Sequence, residues 1–176
     1  SPQYPQKYNT DLIAVFATRR TVASGVFPEE IRKRCPKVEV VQQACPELAG
    51  AIEAERPVAE LEALVGRYVG ELMEALAGRP LHRAILGCTH YPLVEDLFRA
   101  RLPATTRLLS QPDVVADSLE DYLARHPRYQ GEVAAGIQPP LVLTTGDLVA
   151  IAPAIRRFWP EHPPFESVAL ARPAAR

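Results

Sequence analysis

The chain has 176 residues, 47% of them hydrophobic, and a formal net charge of -1. That is enough apolar material for one or two small cored domains, and the near-neutral balance argues against a nucleic-acid partner, which normally meets a basic face. No apolar run approaches the roughly 20 residues that span a bilayer, and no charged-then-apolar leader opens the chain, so a cytoplasmic setting without a membrane partner is expected. The three cysteines, Cys35, Cys45 and Cys88, form no Cys-x-x-Cys pair; they fit reduced thiols better than a disulfide framework or a zinc ribbon.

Residues 1–10 are polar with two prolines and read as a linker. Because the chain opens on Ser1 rather than Met, the native protein is expected to begin earlier. Leu12 to Phe16 is a continuous apolar run that predicts a buried strand. Ala17-Thr18-Arg19-Arg20-Thr21 follows as a polar turn, with Thr21 or Ser24 capping a helix towards Arg34. Val38-Glu39-Val40-Val41 predicts a second strand, and Pro46 opens a helix, since proline suits a first helical turn. From about Val58 to Leu76, the residues Leu61, Leu64, Val65, Tyr68, Leu72 and Leu76 recur every three or four positions, the period of an amphipathic helix; Gly78-Arg79-Pro80 ends it.

Ala84-Ile85-Leu86 predicts the next strand, with Gly87 to Tyr91 as the turn at its carboxyl end and Pro92 opening a helix to about Arg101. Thr106 to Leu109 reads as a strand, and Pro112 starts a helix to about Ala124. His126 to Gln138 is polar and weakly patterned. Leu141 to Thr145 reads as a strand, Gly146-Asp147 as a turn into a helix ending near Trp159, and the tail after Ala169 as disordered. Strand and helix alternate with almost no hairpin signal, which predicts an α/β fold with a parallel sheet flanked by helices. Such sheets hold ligands at the carboxyl ends of their strands. Three polar clusters fall there: Thr18 with Thr21, Cys88 with Thr89 and His90, and Thr144 with Thr145.

Cys88 ends an apolar strand and precedes a proline-started helix, where amide donors and a helix dipole favour a thiolate. His90, two residues on, is placed to orient a neighbour or exchange a proton with it, and Thr89 offers a hydroxyl and an amide to a carboxylate. The same spacing also fits a small buried cysteine beside a surface histidine. Zinc would need three or four ligands; Cys35 and Cys45 have no histidine near them, so no metal is expected.

Leu86-Gly87-Cys88-Thr89-His90-Tyr91-Pro92-Leu93 resembles the signature of glutamate racemases around the second of their two catalytic cysteines. Ala17-Thr18-x-x-Thr21-Val22-x-Ser24, Ala44-Cys45-Pro46 followed by Glu53, and Thr144-Thr145-Gly146-Asp147 resemble other segments of that family in order and spacing, over roughly residues 10 to 168. The resemblance implies cofactor-independent interconversion of L- and D-glutamate for peptidoglycan. One thiol removes the α-proton on one face of the carbon, and a second thiol returns a proton on the other. It implies Cys88 as one of those thiols, His90 assisting it, and Glu53 tuning His90, since a carboxylate beside imidazole favours the charged ring. Glu53 reads equally as a solvated helix residue. Thr89, Thr18 and Thr21 are implied as substrate contacts; otherwise Thr18 and Thr21 are turn and cap residues. The implied partner is glutamate, with a homodimer as a candidate assembly.

Family members have two similar α/β domains with the site between them, the chain starting in one, crossing to the second and returning. Residues 11–110 are then expected to form the second domain, 111–170 the returning segment of the first, and 171–176 a tail. Some expected features are missing. No Cys-Asn-Thr occurs, so the other catalytic thiol has no counterpart and this chain alone is expected to be inactive. Ser110-Gln111 stands where an aspartate is common, and Arg19 and Arg20 are bulkier than expected. The alternatives are an aspartate or related amino-acid racemase and an inactive binding domain that keeps the fold.

Overall fold

The computed structural model describes residues 11–129 and 141–170; the expected linker, the tail over 171–176 and most of the polar stretch up to Gln138 lie outside the described residues. The chain divides into two compact units, at Tyr122 and Leu123.

In the first unit, β1 (Leu12–Ala17) is buried at five of six positions. It pairs in parallel with β2 (Glu39–Ala44) on one side and β3 (Arg83–Leu86) on the other; β4 (Arg107–Leu109) adds to β3, giving the order β2-β1-β3-β4. An apolar, β-branched run suits this central place because both faces are covered by helices. β2 runs further than expected, through Gln42 and Gln43 to Ala44. An edge strand tolerates such side chains: Gln43 Nε2 donates to Glu71 Oε2 at 2.7 Å.

The first helix is interrupted. Thr18, not Thr21 or Ser24, is the N-cap of α1 (Arg19–Ser24), accepting from the Thr21 amide. Gly25, at φ 66°, closes α1 and starts α2 (Val26–Arg34); only glycine takes that left-handed turn without strain. α3 is short (Leu48–Glu53) and begins after Pro46 rather than at it, with Leu48, Ala51 and Ile52 buried. α4 (Val58–Leu76) has the expected bounds and buries Leu61, Val65, Tyr68, Val69, Leu72 and Leu76.

Pro92 lies in a 3₁₀ turn (Tyr91–Val94), and α5 (Glu95–Arg101) starts only at Glu95. The reason is in the core: Tyr91 is fully buried, and one tight turn brings it against Phe98, which also packs on Phe16 with ring centres 5.0 Å apart. α6 (Gln111–Arg125) has no buried residue. Among the described residues every buried one lies between Leu12 and Leu108.

The second unit contains β5 (Val142–Thr144), α7 (Leu148–Phe158) and β6 (Phe165–Ser167), the two strands parallel with Val142 opposite Phe165. Asp147 caps α7, accepting from the amides of Val149 and Ala150. β6 was not expected: Phe165-Glu166-Ser167 is too short and polar to stand out. Trp159 and His162 set their rings edge-on to Phe165. Leu148, Ala152, Ile155, Arg156, His162 and Phe165 line a depression of about 210 Å³.

Candidate active site

The site is built on two neighbouring strand ends. β1 and β3 pair up to Phe16 and Leu86, and one further bond, from the Gly87 amide to the Phe16 carbonyl at 2.7 Å, carries the ladder past the last strand residue. Gly87 is required there by space. A Cβ would stand 3.0 Å from Phe27 Cε2 and 3.1 Å from the Phe16 carbonyl oxygen. The two expected polar turns therefore leave the sheet side by side. On the β1 side, Thr18 Oγ1 and Thr21 Oγ1 share a hydrogen bond of 2.9 Å.

On the β3 side, Cys88 Sγ lies 3.8 Å from His90 Nδ1, and His90 Nε2 lies 2.8 Å from Glu53 Oε1 at the end of α3. Cys88 and His90 are partly buried, while Thr89 is exposed. With Glu53 ionised, its contact puts a ring proton on Nε2; in the neutral ring Nδ1 is then the acceptor facing the thiol. A thiol, an imidazole and a carboxylate in line can move a proton from sulfur to nitrogen and steady the charge that results. The same line does not form around the other cysteines. Cys45 is fully buried, and burial pushes its thiol up to about 12.

The α-helix expected straight after Cys88 is replaced by the single 3₁₀ turn, so the helix end nearest the thiol is a weak dipole. Among the described residues no group of three or more His, Cys, Asp or Glu converges to hold a metal ion. Three structural contacts of the turn were not read from the sequence. Tyr91 donates its buried hydroxyl to the Cys45 carbonyl at 3.1 Å. Gln111 Nε2 donates to the Leu86 carbonyl at 2.9 Å, taking up a group at the place where β4 runs out. Gly87 admits the Phe27 ring. Gly87 and Tyr91 carried a signal by lying inside the Leu86-to-Leu93 string, and Gln111 only as a departure from the family pattern.

Solved structures share this fold. A Bacillus anthracis glutamate racemase isoform superposes with a TM-score of 0.77 at 23% identity, covering 94% of this chain and 60% of that one. The Francisella tularensis glutamate racemase, solved in complex with D-glutamate, gives 0.75 at 20% identity, covering 92% and 59%. The architecture, a parallel sheet flanked by helices, thus matches the fold of these solved structures. The relatives by sequence are narrower in kind. Glutamate racemases of Phenylobacterium zucineum and Roseobacter denitrificans are 44% and 40% identical over 149 and 154 residues, which is 85% and 88% of this chain and 51% and 54% of those proteins. The chain is a homologue of the glutamate racemases, and it spans about half the length of the curated relatives it matches. That proportion is consistent with a C-terminal portion of such a protein. No protein-family model matches the chain.

Proposed function

We propose that this chain supplies one of the two proton-transferring faces of a glutamate racemase. The observation that carries the reading is the line Cys88–His90–Glu53 at the carboxyl edge of β3, with contacts of 3.8 Å and 2.8 Å. In this reading Cys88 exchanges the α-proton of glutamate. His90 takes the thiol proton through Nδ1 and returns it, and Glu53 steadies the ring from the other nitrogen. Thr18, Thr21 and Thr89 contact the substrate, the first two from the neighbouring turn. The kind of relatives favours glutamate over aspartate. No cofactor is needed, because thiol and imidazole suffice for proton transfer at carbon. The product would be D-glutamate for peptidoglycan, made in the cytoplasm. Among the described residues no helix is long and apolar enough to cross a membrane.

Residues 11–110 are assigned to the second racemase domain and residues 111–170 to the returning part of the first. The opposite face then needs a second thiol, and neither Cys35 nor buried Cys45 can supply it. The isolated chain is expected to exchange the α-hydrogen of one glutamate enantiomer at a trace rate and to racemise neither. Proton NMR of L- and D-glutamate in heavy water, alongside circular dichroism of the same samples, tests this with the parent chain and Cys88→Ser. Sustained racemisation lost in Cys88→Ser would refute the two-thiol assignment, and exchange that survives Cys88→Ser would remove Cys88 from the chemistry.

A further inference from the structure

We infer that Tyr91 is a positioning residue whose buried hydroxyl, donated to the Cys45 carbonyl, holds the Cys88–His90 turn against α3 so that His90 meets Glu53. The inference rests on the racemase reading for why the His90–Glu53 contact matters. The contact itself can be measured without any turnover.

The contact joins two separate stretches of chain. His90 belongs to the turn after β3, and Glu53 is the last residue of α3. The Glu53 side chain is 58% exposed and that of His90 31%. A pair this open to water contributes little by itself, because solvent screens it and two side chains must be ordered to make it. Its geometry must be imposed by something more rigid. The residue next to His90 provides it. Tyr91 is wholly buried, its ring packs 6.0 Å from Phe98, and its hydroxyl reaches across 46 residues of sequence to the Cys45 carbonyl.

Cys45 is itself fixed, since its amide donates to the Ala17 carbonyl at 2.8 Å, at the end of the central strand. Three residues later α3 begins, anchored by buried Leu48, Ala51 and Ile52. The turn bearing the thiol and the helix bearing the carboxylate are thus tied beneath the surface by a neutral bond that water does not reach. Such a bond is costly to leave unmade, so it persists where the exposed pair would come and go. Tyr91→Phe would fill the core equally well and lose this tie together with the hydroxyl's contact to the Cys45 thiol, both of them to the same residue.

The test uses the full chain with its histidine ring nitrogens labelled with nitrogen-15. In the parent, Glu53→Gln displaces the His90 ring-nitrogen signals. In Tyr91→Phe the displacement produced by the same Glu53→Gln change is expected to shrink at least about twofold, the two sites being coupled. Thr106→Val is the control. It removes another hydroxyl-to-carbonyl bond, the partly buried one from Thr106 Oγ1 to Leu81 at 2.7 Å, and should lower the melting temperature while leaving the Glu53→Gln displacement at its parent size. A full-sized displacement in folded Tyr91→Phe overturns the inference, as does an equal reduction in Thr106→Val. A Tyr91→Phe chain that does not fold also overturns it, because the hydroxyl would then serve the whole fold rather than the turn. Absence of any glutamate chemistry would sink the racemase reading and leave these signals unchanged.

Discussion

Gly87→Ala places a methyl group where the structure has least room for one. Its Cβ would lie 3.0 and 3.1 Å from two atoms of the Phe27 ring and 3.1 Å from the Phe16 carbonyl oxygen. The ring is partly exposed and can turn by a few tenths of an ångström, but the carbonyl is held by the Gly87 amide itself at 2.7 Å. Overpacking costs about 1–3 kcal/mol, and with one yielding and one fixed neighbour a loss of about 2 kcal/mol is expected. For a unit of this size that lowers the melting temperature by roughly 8 °C. Thermal unfolding followed by far-ultraviolet circular dichroism reads the shift.

Repeating the substitution in a Phe27→Leu background removes the ring atoms and leaves the carbonyl. The penalty is then expected to fall to about half, a coupling that only adjacent groups show. A Gly87→Ala chain that melts with the parent, or a penalty unchanged in Phe27→Leu, would refute the claim that this glycine is set by the approach of β1 and Phe27.

Gly70 is the opposite case: it lies inside α4 with nothing within 4 Å of an added Cβ, so Gly70→Ala should stabilise the chain by about 1 kcal/mol in the same melts. Alkylation followed by peptide mass spectrometry should modify Cys88 first, Cys35 later and Cys45 only on unfolding, because His90 Nδ1 faces the Cys88 thiol and Cys45 is fully buried. Burial raises the Cys45 thiol from 9.0 to about 12. The unfolded chain therefore releases this proton first, and the stability it contributes is whole below about pH 9 and lost as pH rises towards about 12; urea midpoints measured across that range should fall. Trp159 is the one tryptophan of the chain and lies in the second unit. Its fluorescence should change at lower urea than the far-ultraviolet signal, since among the described residues that unit has none fully buried. Leu141 and Leu143 are exposed there, and light scattering should show self-association that a chain ending near Ser110 lacks.

The parts read correctly from sequence are those fixed by local pattern. The α4 bounds follow from apolar residues every three or four positions, and β1 follows from an uninterrupted apolar run. The parallel, helix-flanked sheet and the place of Cys88 at a strand end came from alternation and the turn residues after Leu86. What was misread depends on distant partners. The break after Ser24 is the exception, because Gly25 is itself a local breaker that the continuous-helix reading passes over. The extension of β2 through Gln42 and Gln43 depends on β1 pairing beside it. Pro92 looked like a helix start, but burying Tyr91 against Phe98 tightened the turn. Likewise Glu53 is an ordinary helix glutamate by pattern, and its 2.8 Å approach to His90 exists only once α3 and the turn after β3 are packed together.

The chain order of the sheet also bears on how a nascent chain behaves. β1 is central, yet one of its neighbours, β3, follows β2 and all of α4. A polypeptide leaving the ribosome therefore exposes β1 with one side unpaired until residues 83–86 emerge. α4, which needs no strand partner for its hydrogen bonds, is made during that interval and can shelter part of the apolar face. Ribosome-bound chains stalled just after Leu76 would display an open β1 edge to chaperones, and those stalled past Leu109 would have closed it. The turn that bears Cys88 is complete only after that closure.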